Sequence, residues 1–194
     1  MSHFYDLTGG TASGMTDSKL PDGQAGAEKA LNHALVGNAG ANMIYESAGM
    51  HASLLGFSLE SLVIDNDIIG ATQRTIKGIE VNDERLSFET IKDVCLNGPG
   101  HFLGSDQTLQ LMQTEYLYPG VGDRKSPNEW NEQGALDVAQ RAMAKVEEVL
   151  GHHFPSHVAE AVDAEIRRRF PVKLDRAHML PPVDSAAARR VGSR

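Results

Sequence analysis

HFYDLTGGTASGMTDSKLPDGQ, residues 3–24, opens with an apolar and aromatic run from His3 to Leu7 that breaks into Thr8-Gly9-Gly10. A polar loop with Asp17, Lys19 and Asp22 follows, and a helical pattern starts near Gln24. The spacing predicts a strand, a long loop and a helix. Such units carry chemistry on the loop that leaves the strand's carboxyl end.

The same order repeats downstream. Asp22 is a natural N-cap for a helix from about Gly23 to Gly37, with Ala27, Leu31, Ala34 and Leu35 expected on its buried face. Residues 42–47, NMIYES, read as a second strand, and a loop from Ala48 leads near Ser58 into a strong helix ending at Lys77. Leu59, Leu62, Ile69 and Ile76 are spaced for one buried stripe of that helix. Two successive βα units predict a parallel sheet or a (β/α) barrel, with the loops 8–23 and 48–57 side by side on one rim.

Beyond residue 80 the pattern turns helical. Leu86–Leu96 and Asp106–Leu117 read as helices, separated by the glycine-rich corner Asn97–His101. Ser126-Pro127-Asn128-Glu129 is a capping-box start signal. Leu136, Ala139, Met143, Val146 and Leu150 step by three and four, the seam of a helix packed on a helix. Ser156 is expected to cap one more helix to about Phe170. The expected organisation is two βα units over 1–80, a helical region over 81–175 and a disordered tail over 176–194.

Composition narrows the function classes. A formal charge of −8 over 194 residues disfavours a general nucleic-acid or anionic-membrane surface. One cysteine, Cys95, excludes an internal disulfide and a Cys-rich zinc site; its phase with Phe88 and Ile91 predicts an inert core thiol. No apolar run reaches bilayer length and no signal peptide is visible, so a cytoplasmic protein is expected.

Several motifs together resemble one family. TDSKLPDGQAGAE (16–28) is similar to the TDAK…D.QAG.EK signature of the trimethylamine methyltransferase family. The likeness continues through GAN (40–42), SLESLVID (58–65), GPGHFLG (98–104) and the stretch from Arg124 to Trp130, covering roughly residues 4 to 155. Gln107 departs from a usual histidine, and Ala27 from a common aromatic. The resemblance implies corrinoid-dependent methyl transfer from a methylated amine, such as trimethylamine or glycine betaine, to the cobalt of a separate corrinoid protein. It also implies the C-terminal part of a (β/α)8 TIM barrel followed by a helical extension. A complete barrel takes about 250 residues, so the missing N-terminal barrel half or self-association is expected to complete the chain. The family's pyrrolysine position lies upstream of the matched region. A non-catalytic remnant or assembly subunit that binds a partner chain is the alternative.

The candidate residues follow from that chemistry. A methylated ammonium calls for carboxylates or aromatic faces. Glu46 and Tyr45 end the second strand, where alternation lets only one face the barrel mouth, and Glu46 is favoured. Asp17 could bind a polar substrate end, and Gln24, in a helix's first turn, could orient a carboxylate. Lys19, Asp22, His51 and His101 are the candidate contacts on the corrinoid side, although Asp22 has its capping role and a lone histidine is commonly structural. No catalytic residue is assigned. No metal site is expected: His152, His153 and His157 lack a carboxylate at ligand spacing. No cofactor is expected to be bound tightly by the chain itself, because a partner supplies the cobalamin. Glu60 and Asp65 are read as favourable charges near a helix start.

Overall fold

The computed structural model describes residues 1–154 and 157–181. It is a mixed α/β fold, mostly helical, with two small sheets. By internal contacts it divides into two compact units, Met1–Ala142 and Met143–Arg194.

The first unit is built on two parallel strands, β1 (Gly10–Ala12) and β2 (Met43–Tyr45), in the register Gly10–Met43, Thr11–Ile44 and Ala12–Tyr45. The first strand therefore lies later than the apolar run His3–Leu7 predicts. His3–Tyr5 is a 3-10 turn instead, closed by Asp6 in the left-handed region at φ 53°. Phe4, Tyr5 and Leu7 are exposed, so their apolarity does not mark a core strand. Gly9 and Gly10 stand close to their neighbours, where a Cβ would meet Ser2 Oγ at 2.6 Å and Met43 Cε at 3.2 Å. The Gly9 N–H donates to Asn42 Oδ1 at 2.9 Å, and its carbonyl accepts from the N–H of Asn42 at 2.9 Å.

Each parallel strand is followed by a helix: α1 (Gly23–Asn38) after β1 and α2 (Leu59–Lys77) after β2. Asp22 caps α1 by accepting from the Ala25 N–H at 2.9 Å. Ser58 caps α2 by accepting from the Ser61 N–H at 3.1 Å. The chain between β2 and α2 forms an antiparallel hairpin of two short strands, β3 (Met50–His51) and β4 (Gly56–Phe57).

α1 buries the face opposite the one its apolar spacing predicts, whereas α2 buries a face that its predicted stripe flanks. α1 buries Ala25, Lys29, His33 and Gly37, while Leu31 and Leu35 are 61% and 62% exposed. α2 buries Ser61, Asp65 and Thr72; of its predicted stripe Leu59 and Leu62 are exposed, Ile69 is half-buried and Ile76, partly exposed, lies against Gly37 of α1. The two helices pack on each other through small and paired polar side chains. Gly37 is one of them: a Cβ there would meet Ile76 Cδ1 at 2.7 Å, so the approach of α1 to α2 requires glycine. The α1 stripe of Leu31 and Leu35 has no cover among the described residues.

The remainder of the first unit is helical: α3 (Asp83–Leu86), α4 (Phe88–Leu96), α5 (Asp106–Thr114) and α6 (Pro127–Glu132). The expected capping box is formed, with Ser126 and Glu129 exchanging bonds at the start of α6. Two carboxylates fasten this region to α2. Glu115 takes Arg74 at 2.8 Å, Arg85 at 3.2 Å and Lys77 at 3.3 Å. Asp67 sits in a nest of three backbone N–H groups, from Gly120 and Val121 at 2.8 Å and Gly122 at 2.9 Å. Cys95 is exposed rather than a core thiol, because α4 turns Val94 inward instead.

α7 (Val138–His152) covers the predicted seam, but its buried residue is Ala142, and Leu150 remains 62% exposed. In the second unit α8 (Glu160–Arg169) starts after Ala159. The predicted cap, Ser156, and the tail from residue 182 onward lie outside the described residues. Arg176–Met179 forms a 3-10 turn held to α8, with Asp163 binding Arg167 at 2.9 Å and Arg176 at 2.8 Å.

Candidate functional site

The loops leaving β1 and β2 meet, as the right-handed βα order predicts. The hairpin β3–β4 lies along the first loop: the Ala52 N–H donates to Ser18 O at 3.0 Å and the Ser53 N–H to Thr16 O at 3.2 Å. The Ser13 N–H donates to Tyr45 O at 3.3 Å, extending the strand pairing toward this rim.

Buried side chains from the helices hold both loops from below. Lys29 Nζ and Asp65 Oδ2 form an ion pair at 2.6 Å, and the same carboxylate oxygen accepts from the Gly49 N–H at 2.7 Å. Asp65 is thus the anchor of the second loop, beyond the helix-start charge its position alone suggests. His33 bridges Ser47 O at 2.9 Å and Ser13 Oγ at 3.4 Å. His51 bridges Ser18 O at 3.1 Å and Ser61 Oγ at 2.5 Å. Among the described residues no buried side-chain nitrogen or oxygen lacks a partner. A network with every member satisfied is rigid, whereas a half-satisfied one is costly.

Above this layer a depression of about 420 Å³ is lined by Met15, Thr16, Asp17, Glu28, Asn32, Ser53 and Leu54. Asp17 is exposed and accepts from Ser53 Oγ. Glu28 is the best-held carboxylate. Its Oε2 accepts from Thr16 Oγ1 at 2.5 Å and the Asp17 N–H at 3.0 Å, and its Oε1 accepts from Gln24 Nε2 at 2.8 Å. The Thr16 hydroxyl, the Gln24 amide and the Asp17 N–H keep its carboxyl below the usual carboxylate range. The hairpin tip is strained. Ala52, Ser53 and Leu54 have φ of 50°, 53° and 72°, three consecutive non-glycine residues in the left-handed region. Each such residue costs roughly 1–2 kcal/mol.

The predicted site residues fall into separate places. Asp17 and the Gln24–Glu28 pair come together at the depression. Gln24 binds Glu28 instead of presenting a free amide. Lys19 reaches back to Asp17 O at 2.8 Å, and Asp22 is a helix cap that also accepts from Ser18 Oγ at 2.9 Å. His51, expected to face a partner, is buried with both ring nitrogens bonded, because the hairpin needs a post beneath it. His101 is exposed in the corner after α4, and no hydrogen bond among the described residues joins it to the rim.

Tyr45 and Met43 lie over Gly10, where a Cβ would meet Met43 Cε at 3.2 Å and Tyr45 Cε1 at 3.8 Å. Ile44 points the other way, toward His33, Ile69, Thr72 and Ile76. Tyr45 therefore occupies the sheet face turned away from the helices. Glu46 is exposed and left-handed at φ 57°, so it has left the strand and the alternation rule does not set its direction. Sequence reasoning overlooked Glu28, Lys29 and His33. The available signal was the spacing of Gln24 with Glu28, and of Ala25, Lys29, His33 and Gly37 along one face.

Comparison with known proteins bears on this arrangement. The model of the trimethylamine methyltransferase family matches residues 1–174. A trimethylamine methyltransferase of Methanosarcina acetivorans is 38% identical over 180 residues, 91% of this chain and 34% of the relative. One from Methanosarcina thermophila is 39% identical over 166 residues, covering 86% of this chain and 33% of the relative. A glycine betaine methyltransferase of Desulfitobacterium hafniense is 27% identical over 168 residues, 86% of this chain and 34% of that protein. The chain thus spans about a third of the length of the curated relatives it matches. A family match from the first strand through the second unit, over the loops that build the rim, leaves one conclusion: the chain belongs to the trimethylamine methyltransferase family.

Proposed function

We propose that this chain is the C-terminal segment of a corrinoid-dependent methyltransferase that moves a methyl group from a methylated amine to the cobalt of a corrinoid carried by a partner protein. In this reading β1–α1 and β2–α2 are the last two units of a (β/α)8 barrel, and the region after residue 80 is its helical extension. The observation that carries it is the family match to a chain whose two parallel strands send both following loops to one rim.

Further barrel polypeptide has a place to go. Two strands close no barrel, and the sheet face bearing Met43 and Tyr45, together with the α1 stripe of Leu31 and Leu35, is exposed. Covering such surface by further barrel polypeptide removes an aggregation liability.

Cobalt supplies the nucleophile, and the chain's own residues bind and orient the donor. A methylated ammonium loses its positive charge as the methyl leaves. A carboxylate in direct contact would therefore stabilise the ground state more than the transition state. An aromatic face is a gentler holder, which favours Tyr45 against the ammonium. Orientation is the largest contribution this rim can make. In this reading the cobalt is no resident of this chain. His33 and His51 have both ring nitrogens in hydrogen bonds, and no three metal-ligating side chains converge among the described residues. Cobalt enters as a substrate on its carrier.

The test is reconstitution. The chain is co-expressed with the N-terminal portion of the barrel and mixed with a reduced corrinoid protein and either trimethylamine or glycine betaine. A spectral change of the corrinoid that requires the amine is the expected result. No change with any tertiary or quaternary amine, in a soluble assembled complex, would overturn the reading.

A further inference from the structure

We propose that the tip of the β3–β4 hairpin, Ala52 to Leu55, is a preformed knob that docks the corrinoid-carrying protein, with Leu55 as its apolar anchor; this deepens the proposed function and rests on it. Four observations carry the assignment.

The first is a strained turn that the rest of the chain holds in place. Three consecutive side-chain-bearing residues are held left-handed, an arrangement that persists only where the surroundings over-determine it. The surroundings do so here. The Ala52 and Ser53 N–H groups are bonded to the first loop, Ser53 Oγ to Asp17, and the hairpin's base stands on His51 and on the Gly49–Asp65 bond.

The second is what the strained turn displays. Leu55 is 90% exposed and Leu54 44% exposed. Leu55 gains almost no burial within the chain, so the turn fixes its position for something outside it.

The third is location. Leu54 lines the depression together with Met15, Asp17 and Glu28. The methyl acceptor has to reach a donor held at this rim, so a carrier touching the knob also covers the mouth. The fourth is charge. Asp17 and Glu28 beside the knob are both carboxylates, with Lys19 folded back onto the Asp17 carbonyl. The matching surface on the carrier is an apolar socket with a basic border, which gives salt-dependent association.

Rigid apolar anchors of this kind dominate binding when they enter a socket, and pre-ordering removes the cost of fixing a loop on contact. The hairpin needs no closing motion to present Leu55.

The experiment measures binding of the full chain to a cobalamin-loaded corrinoid-binding protein by biolayer interferometry at low and high salt. Leu55→Asp is expected to weaken binding about tenfold or more, because a charge would enter the socket. Leu103→Asp, at a site 76% exposed on the corner after α4, is expected to leave it within about twofold. Leu55 lies outside the packed interior, so circular dichroism of Leu55→Asp should match the parent. Unchanged affinity of Leu55→Asp against a carrier that binds the parent chain would overturn the knob and leave the proposed reaction standing. Failure of the parent chain, assembled with the N-terminal portion of the barrel, to bind any such carrier would overturn both.

Discussion

Lys29 on the first helix and Asp65 on the second meet at 2.6 Å with both side chains almost wholly buried. Taking two charges out of water is costly, and the attraction returns that cost only when the remaining hydrogen-bonding capacity is used. Here Asp65 also holds the Gly49 N–H, so the pair links the two helices to the second rim loop. Asp65→Ala or Lys29→Met alone should destabilise the chain by about 3–5 kcal/mol, since either leaves a buried uncompensated charge. The double change Lys29→Met/Asp65→Leu should recover much of that in urea unfolding, while hydrogen exchange of the Gly49 N–H stays fast. A double variant no better than the worse single one would refute this account.

Asp67 makes the chain acid-sensitive at one definable place. Burial works to raise its carboxyl pKa, but the N–H groups of Val121, Gly120 and Gly122, with Arg124 nearby, outweigh that and hold it below the ordinary value of 3.8. A carboxylate depressed in the folded state contributes stability that is full above its unfolded pKa and fades as pH falls through the folded one. Loss should therefore set in below about pH 4. Asp67→Asn should cost about 2 kcal/mol at neutral pH and flatten that part of the stability curve. Equal slopes for parent and variant between pH 5 and pH 2, measured by urea midpoints, would count against the clamp.

Two glycines should respond in opposite senses to alanine. Gly14 has φ of 92°, and a Cβ there would collide with the His33 ring and the Ser47 carbonyl, the partners of the second buried bridge. Gly14→Ala should cost at least about 2 kcal/mol, combining backbone strain with a displaced histidine. Gly26 lies inside α1 with open space around it, so Gly26→Ala should stabilise by about 0.5–1 kcal/mol through helix propensity. Thermal melts of the two single variants decide between them. A tolerated Gly14→Ala would mean that the first loop is not held as described.

The order of elements was legible because it rests on local chemistry. Asp22, Ser58 and Ser126 each cap the helix their spacing announces, and the meeting of the two loops follows from the handedness of βα crossovers. The position of β1 was not legible: the three residues Gly10-Thr11-Ala12 carry little β propensity, while the exposed Phe4 and Tyr5 imitate a strand. The face of α1 was misread for a deeper reason. Apolar periodicity points to whatever surface a helix finally buries, and in this chain the stripe of Leu31 and Leu35 has no cover while Lys29 and His33 are inside. The polar staples of the site, His51 with Ser61 and His33 with Ser47, join residues ten and fourteen positions apart across different elements. No single-helix or single-strand period encodes such a pair.

That uncovered stripe yields the last expectation. Leu31 and Leu35 project from α1 on the side opposite Lys29 and His33, and Met43 and Tyr45 project from the free sheet face. Apolar area of this extent seeks a partner at roughly 25 cal/mol per Å², so the isolated chain should self-associate at micromolar concentration. Leu31→Glu/Leu35→Glu should shift it toward monomer without lowering its unfolding midpoint, because both side chains are already exposed. Sedimentation velocity across a concentration series reads the first effect and urea unfolding the second. A parent chain that sediments as a well-folded monomer at every concentration would show that these surfaces need no covering, and would remove the support they give to barrel completion by a second polypeptide.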